Sequence, residues 1–209
     1  MKVFLDSSKI SEIERWNAII DGVTTNPTIL LREGGDLYEL AKFLEPRPIS
    51  IEACEDFRTD ALKYSREIAN SVIKIPLLKV DGGNNIDLIS ELSRRGVRVN
   101  CTALMSFSQV ILATKCKPKY VSLFAGRVDD EGGNYLGVIE DCMRFIENEC
   151  VDTELIVGSI RSVGQVLDSA RAGAHIVTIP PAILEKMVFH RFSLDTVRQF
   201  EDDAGRLKQ

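Results

Sequence analysis

Ser71-Val72-Ile73-Lys74-Ile75-Pro76, an apolar-periodic segment from Asn85 to Arg95, a stop at Gly96, and then Val97-Arg98-Val99-Asn100-Cys101-Thr102-Ala103 form one strand–helix–strand unit. The flanking runs are short and β-branched, and the segment between them repeats its apolar residues near every 3.6 positions. Gly96 stands where a helix stops and the next strand begins. Strands joined through a helix run parallel in one sheet. The pattern repeats outward in both directions, giving expected strands at Val3–Ser7, Gly22–Asn26, Ile49–Cys54, Ser71–Pro76, Val97–Ala103, Tyr120–Arg127, Glu154–Ile160 and His175–Pro180. Further helices are expected at Thr59–Asn70, Ser106–Cys116, Tyr135–Glu149 and Ser162–Ala172, and Ser11 with Glu14 has capping-box spacing in the first helical segment.

Eight such repeats with no Pro/Gly/Ser-rich linker predict an α/β fold of the closed (β/α)8 TIM-barrel kind rather than a doubly wound open sheet. The whole chain, 1–209, reads as one domain. After the eighth strand, Pro181–Val188 and Ser193–Leu207 read as helices, the second highly charged and outside the barrel, placed to pack on a neighbouring copy. Asp81-Gly82-Gly83-Asn84-Asn85 and Asp129-Asp130-Glu131-Gly132-Gly133-Asn134 follow the fourth and sixth strands and read as loops at the barrel mouth. Neither has the spacing of a nucleotide-cradling loop.

Composition excludes several classes. With 44% hydrophobic and 27% charged residues the chain is typical of a soluble globular protein, and its net charge of −5 argues against a general nucleic-acid surface. Its five cysteines are scattered, odd in number and lack CxxC spacing, so neither a disulfide framework nor a metal site is expected. A reducing, cytoplasmic setting fits that usage. Val3-Phe4-Leu5 is too short for a secretory core, and no apolar run approaches the roughly 20 residues that span a bilayer.

The parity of the strands is more informative. Alternate residues of a barrel strand point inward, and catalytic groups belong at the C-terminal strand ends. One parity collects Phe4 and Asp6, Thr24 and Asn26, Ser50, Glu52 and Cys54, Val72 and Lys74, Asn100 and Thr102, Ser122 and Phe124, and Ser159 with Arg161 just beyond it. The opposite parity is almost wholly apolar. Buried polar groups are tolerated only when paired, so their convergence on one interior points to a site.

Lys74 is the most telling of them. A lysine of ordinary pKa, about 10.4, rarely carries the free amine at neutral pH. Burial favours the uncharged form, and a desolvated amine forms Schiff bases with carbonyl substrates. Asp6 and Glu52 are the candidates for the accompanying proton transfers, with protonation coupled to that of the lysine. Asn26, Asn100 and Thr102 are suited to holding substrate hydroxyls or a water, although Asn26 before Pro27 also has helix-start geometry. Arg127, Ser159 and Arg161 read either as a phosphate site or as surface ion pairs with Asp129, Asp130 and Glu131. His175 and His190 lie away from the strand tops and read as core or surface residues.

These residues, in this order, resemble the transaldolase family, in particular its short microbial branch that also includes fructose-6-phosphate aldolase. The matching pieces are Phe4-Leu5-Asp6, Gly22-Val23-Thr24-Thr25-Asn26-Pro27-Thr28, Ile51-Glu52-Ala53, Val72-Ile73-Lys74-Ile75-Pro76, Asn100-Cys101-Thr102, Ser122-Leu123-Phe124-Ala125-Gly126-Arg127, Ser159-Ile160-Arg161 and Val177-Thr178-Ile179-Pro180. The resemblance implies that Lys74 is the Schiff-base lysine, that Asp6 and Glu52 do acid–base work with a water oriented by Glu52 and Thr102, and that Asn26, Asn100 and Ser122 contact substrate. It further implies that Arg127, Ser159 and Arg161 bind a sugar phosphate, with no cofactor required. Glu52 and Phe124 look like the transaldolase choices, where the fructose-6-phosphate aldolase pattern places Gln and Tyr. The expected activity is transfer of a dihydroxyacetone unit between sugar phosphates in the pentose phosphate pathway. The alternatives are aldol cleavage of a similar sugar phosphate or a non-catalytic barrel that only binds one. Short proteins of this branch use a C-terminal helix to build pentameric or decameric rings, so a homo-oligomer is expected. Leu77-Leu78-Lys79-Val80-Asp81-Gly82-Gly83, Leu123 and Cys54 depart from the family pattern at or near the mouth, where they bear on the acceptor sugar.

Overall fold

In the computed structural model, which describes residues 1–207, the strand carrying Lys74 is β4 (Ser71–Pro76). It pairs in parallel with β3 (Ile49–Glu52) on one side and β5 (Val99–Leu104) on the other, in a register that sets Glu52, Lys74 and Asn100 abreast. The remaining strands are β1 (Lys2–Asp6), β2 (Gly22–Thr24), β6 (Tyr120–Phe124), β7 (Glu154–Gly158) and β8 (Ile176–Ile179). They pair in chain order, and β1 joins β8 from Lys2↔Ile176 to Leu5↔Ile179 to close the barrel.

Two cores result from the alternation of side chains. Outward residues such as Leu5, Val23, Ile51, Ile73, Ile75 and Val121 are buried under the surrounding helices. Inward residues Phe4, Val72, Tyr120, Ile156 and Ile176 plug the barrel floor, with Phe4 and Tyr120 edge to face at 6.0 Å. Each such fully buried apolar side chain contributes about 1.5–3 kcal/mol relative to exposure. The plug also keeps water out beneath the polar groups that share its parity.

The helices are α1 (Ile10–Arg15), α2 (Pro27–Glu33), α3 (Leu37–Leu44), α4 (Phe57–Glu67), α5 (Ile86–Arg94), α6 (Phe107–Lys115), α7 (Ala125–Asp130), α8 (Tyr135–Glu149), α9 (Val163–Arg171), α10 (Pro181–Val188) and α11 (Arg191–Leu207). Several are started by a side-chain cap: Ser106 accepts from Gln109 N–H, Ser162 from Gln165 N–H, and Asp56 from Thr59 N–H, which begins α4 two residues earlier than its periodicity suggests. The expected capping box of Ser11 and Glu14 is absent. Lys9 occupies the cap position of α1 and supplies no side-chain bond, so Ser11 falls inside the helix. Gly34 and Gly35, both at positive φ, separate α2 from α3 and hide two short helices from a periodicity reading.

The sixth strand is shorter than expected. It ends at Phe124, and Ala125–Asp130, which includes Arg127, turns at once into α7. Gly126 explains the turn, because a Cβ there would lie 2.0 Å from the carbonyl oxygen of Ser159. Asp129 and Asp130 are accordingly the last residues of a helix rather than part of a loop. The other glycine-rich stretch belongs to a small hairpin, with Leu78 bridged to Asn84 and Lys79 N–H bonded to Gly83. Beyond the barrel, α11 begins two residues before the expected Ser193 and buries none of its side chains. The last two residues of the expected domain and tail lie outside the described residues. No helix among those described is long and apolar enough to cross a membrane.

Candidate active site

The inward residues above the apolar plug line a cavity of about 540 Å³ at the C-terminal ends of the strands. Asp6, Thr24, Asn26, Glu52, Lys74, Asn100, Thr102, Ser122, Phe124, Arg127, Ser159 and Thr178 all contribute to its wall. Chain order around the closed barrel places the β2 and β6 contributions on opposite sides, with Lys74 between them.

Lys74 is 5% exposed. Its Nζ donates to the Thr25 carbonyl at 2.7 Å and stands 3.2 Å from Oε2 of Glu52. The carbonyl is a fixed acceptor, because Thr25 is itself held to Ser50 by both its N–H and its hydroxyl. The carboxylate is a charged partner placed by the Glu52↔Lys74 register. A buried nitrogen with two acceptors has a defined orientation at the cavity wall.

Asp6 sits across the floor of the site. Its Oδ1 accepts from the Thr24 hydroxyl at 2.7 Å, and that hydroxyl also contacts Thr178 Oγ1. Thr24 has one proton and gives it to Asp6, so Thr178 is the donor in the second contact. Burial pushes the Asp6 carboxyl above the ordinary aspartate range, against the opposing pull of the Thr24 hydroxyl and the Lys74 charge. A carboxylate held in this way is a stronger base than one in water.

Asn100 is oriented by its neighbours: the Ser122 hydroxyl donates to its Oδ1 at 2.7 Å and its amide reaches Ser50 Oγ at 3.4 Å. Thr102 differs. Its hydroxyl is buried with no hydrogen-bond partner among the described residues, at the point where β5 slips register and Ala103 takes a φ of 60°. Unpaired buried hydroxyls are rare, so this one is available to a water or ligand in the cavity. Asn26 combines both readings. Its Oδ1 accepts from Ile29 N–H at 2.9 Å as the cap of α2, which leaves its two amide donors unspent at the cavity wall.

The arginines also divide. Arg127 and Ser159 line the cavity, whereas Arg161 does not, and its guanidinium is engaged by Asp130. The ion-pair reading is thus realised for Arg161. Cys54 is a correction: β3 ends at Glu52, so the inward alternation does not reach Cys54, which is exposed, outside the cavity wall, and tied by its N–H to Asp60. Thr24 was placed on the inward face by parity but given no role, and Thr178 was not foreseen as a site residue, although it lies in the Val177-Thr178-Ile179-Pro180 piece at inward parity. The two histidines lie elsewhere: His175 Nδ1 accepts from Leu155 N–H at the barrel foot, and His190 stacks obliquely on Phe192.

Residues 3–209 match the sequence profile of a family described as transaldolase/fructose-6-phosphate aldolase. The chain is 36% identical over 212 residues to a probable transaldolase of Thermoanaerobacter, covering 97% of this chain and 96% of that one. It is 36% identical over 219 residues to a probable transaldolase of Thermodesulfovibrio yellowstonii, covering all of both, and 35% identical to one from Methanococcus maripaludis over 97% of each.

Proposed function

The chain belongs to the transaldolase/fructose-6-phosphate aldolase family, and from that premise we propose that it is a transaldolase carrying a dihydroxyacetone unit between sugar phosphates as a Schiff base on Lys74. The observation that carries the proposal is the buried Lys74 amine, 3.2 Å from the Glu52 carboxylate in a cavity that also holds the unpaired Thr102 hydroxyl.

The amine, freed of its proton, attacks the C2 carbonyl of a ketose phosphate. A carbinolamine forms and loses water to leave an iminium, with Glu52 relaying protons through a water held by the Thr102 hydroxyl. Asp6 takes the proton of the C4 hydroxyl as the C3–C4 bond breaks. The bonding electrons pass into the iminium, an aldose phosphate leaves, and a dihydroxyacetone enamine stays on Lys74. The reverse addition to a second aldose phosphate, followed by hydrolysis of the imine, completes the transfer. The raised Asp6 pKa suits that base role. Asn26 and Asn100 hold hydroxyls of the bound unit with Ser122, and Phe124 bounds the apolar side of the pocket. Arg127, Ser159 and Arg161 receive the phosphate. Every step uses protein groups and water.

Glu52 and Phe124 favour transfer over simple aldol cleavage. The fully exposed α11 presents Phe192, Leu194, Val197 and Phe200 along with its charges. These apolar residues support assembly into a homo-oligomer, which on this proposal is a pentamer or decamer acting on sugar phosphates of the cytoplasmic pentose phosphate pathway. The test is borohydride reduction in the presence of fructose 6-phosphate: a stable adduct at Lys74, absent from Lys74→Ala, supports the imine, and a folded wild type without adduct refutes it. Transfer to erythrose 4-phosphate, against release of free dihydroxyacetone, separates transaldolase from aldolase.

A further inference from the structure

Arg127 on the cavity wall and Arg161 just outside it share one carboxylate. Arg161 meets Asp130 end-on, with Nη2 2.7 Å from Oδ2 and Nη1 on Oδ1, and Arg127 Nη1 stands 4.0 Å from the same Oδ2. Asp130 is the last residue of α7, the helix that also carries Arg127, whereas Arg161 belongs to the loop between β7 and α9. The preceding residue makes a second tie between these elements. Asp129 Oδ2 accepts from Gln165 Nε2 at 3.0 Å, and Gln165 Oε1 accepts the backbone N–H of Arg161 at 2.8 Å. Gln165 is only 3% exposed, so this is a buried connection rather than a loose surface contact. Gly126, packed on the Ser159 carbonyl, makes the third.

We propose that Asp130 is a positioning residue: it holds Arg127 and Arg161 together so that both receive the phosphate of the substrate. This rests on the phosphate site assigned above. An end-on carboxylate uses two of the five guanidinium N–H donors of Arg161. The Nε–H and one hydrogen on each terminal nitrogen remain, among them the side-on pair that suits a bidentate phosphate. Two guanidinium groups alone repel each other and sweep many rotamers. The intervening carboxylate offsets the repulsion and narrows the search before the ligand arrives.

The opposite role for the same contact is a competitor that masks Arg161 and must be displaced. The two roles predict opposite signs. Asp130→Asn keeps the size but removes the charge and sets an amide donor against Arg161, while Asp130→Glu restores the charge. The full-length wild type and both variants are titrated calorimetrically with inorganic phosphate and assayed with fructose 6-phosphate and erythrose 4-phosphate. Positioning predicts that Asp130→Asn binds phosphate about ten-fold more weakly and raises KM by a similar factor, with kcat within about two-fold and partial recovery in Asp130→Glu. Equal or tighter phosphate binding by Asp130→Asn overturns the proposal in favour of masking. A wild type that binds no phosphate overturns it as well, and borohydride trapping of dihydroxyacetone on Lys74 then reports separately on whether the Schiff-base reading stands.

Discussion

Asp6→Asn is expected to abolish turnover while making the protein more stable at neutral and alkaline pH. The half-buried carboxyl lies at the floor of the site, and desolvation outweighs the Thr24 hydroxyl and the Lys74 charge, so its folded-state pKa lies above the unfolded value. The sign follows from linkage. A carboxyl raised by folding binds its proton more tightly in the native state, so its favourable contribution is present below the unfolded pKa and is lost as pH rises through the folded one. At pH 8 the wild type therefore bears the cost of a buried charge, which the neutral amide removes while its oxygen still accepts from Thr24. Replacing such a functionally strained group commonly yields about 0.5–2 kcal/mol. For a domain of this size each 1 kcal/mol moves Tm by about 2–4 °C. The difference between variant and wild type, measured by thermal melts from pH 4 to pH 8.5, should widen with pH and nearly vanish at the acid end. A variant that melts lower than wild type at pH 8, or whose advantage grows towards acid, would refute the reasoning.

Thr102→Val should leave stability unchanged or slightly raised, since the lost hydroxyl has no partner among the described residues, yet lower kcat by about 10²-fold if it orients the catalytic water; unimpaired kcat would remove that role. Gly126→Ala drives a methyl onto the Ser159 carbonyl and should cost about 1–3 kcal/mol in urea denaturation, together with a raised KM for the phosphorylated donor. Replacing Phe192 and Phe200 by Glu on the exposed helix should lower the mass seen by light scattering without changing the borohydride adduct, and an unchanged mass would show that α11 is not an assembly face.

The barrel was legible because its signals are local and repeated. β-branched runs recur eight times, helical periodicity separates most of them, glycine stops stand at Gly96 and Gly173, and period-two parity put Asp6, Glu52, Lys74, Asn100 and Ser122 on one face. Where the reading failed, a contact distant in sequence overrode local propensity. Tyr120-Val121-Ser122-Leu123-Phe124 would continue as a strand through Arg127 on propensity, but Gly126 must turn against Ser159 from the next repeat. Cys54 kept its inward parity on paper, yet its strand had already ended at Glu52. The α2 and α3 helices escaped notice because each is too short for a clear period.

Residue types and their alternation thus determine the class of fold, the inward set of polar groups and the presence of a buried lysine among carboxylates, since these depend only on the strand period and on what each side chain can do. Tertiary structure decides which of those groups touch. The Thr25 carbonyl as an acceptor for Lys74, the Thr178–Thr24–Asp6 relay and the pairing of Arg161 with Asp130 all connect residues far apart in the chain, and the Thr102 hydroxyl finds no partner among the described residues. Closure of the barrel brings them together, and hydrogen bonds are sensitive to tenths of an ångström that no spacing along the chain encodes.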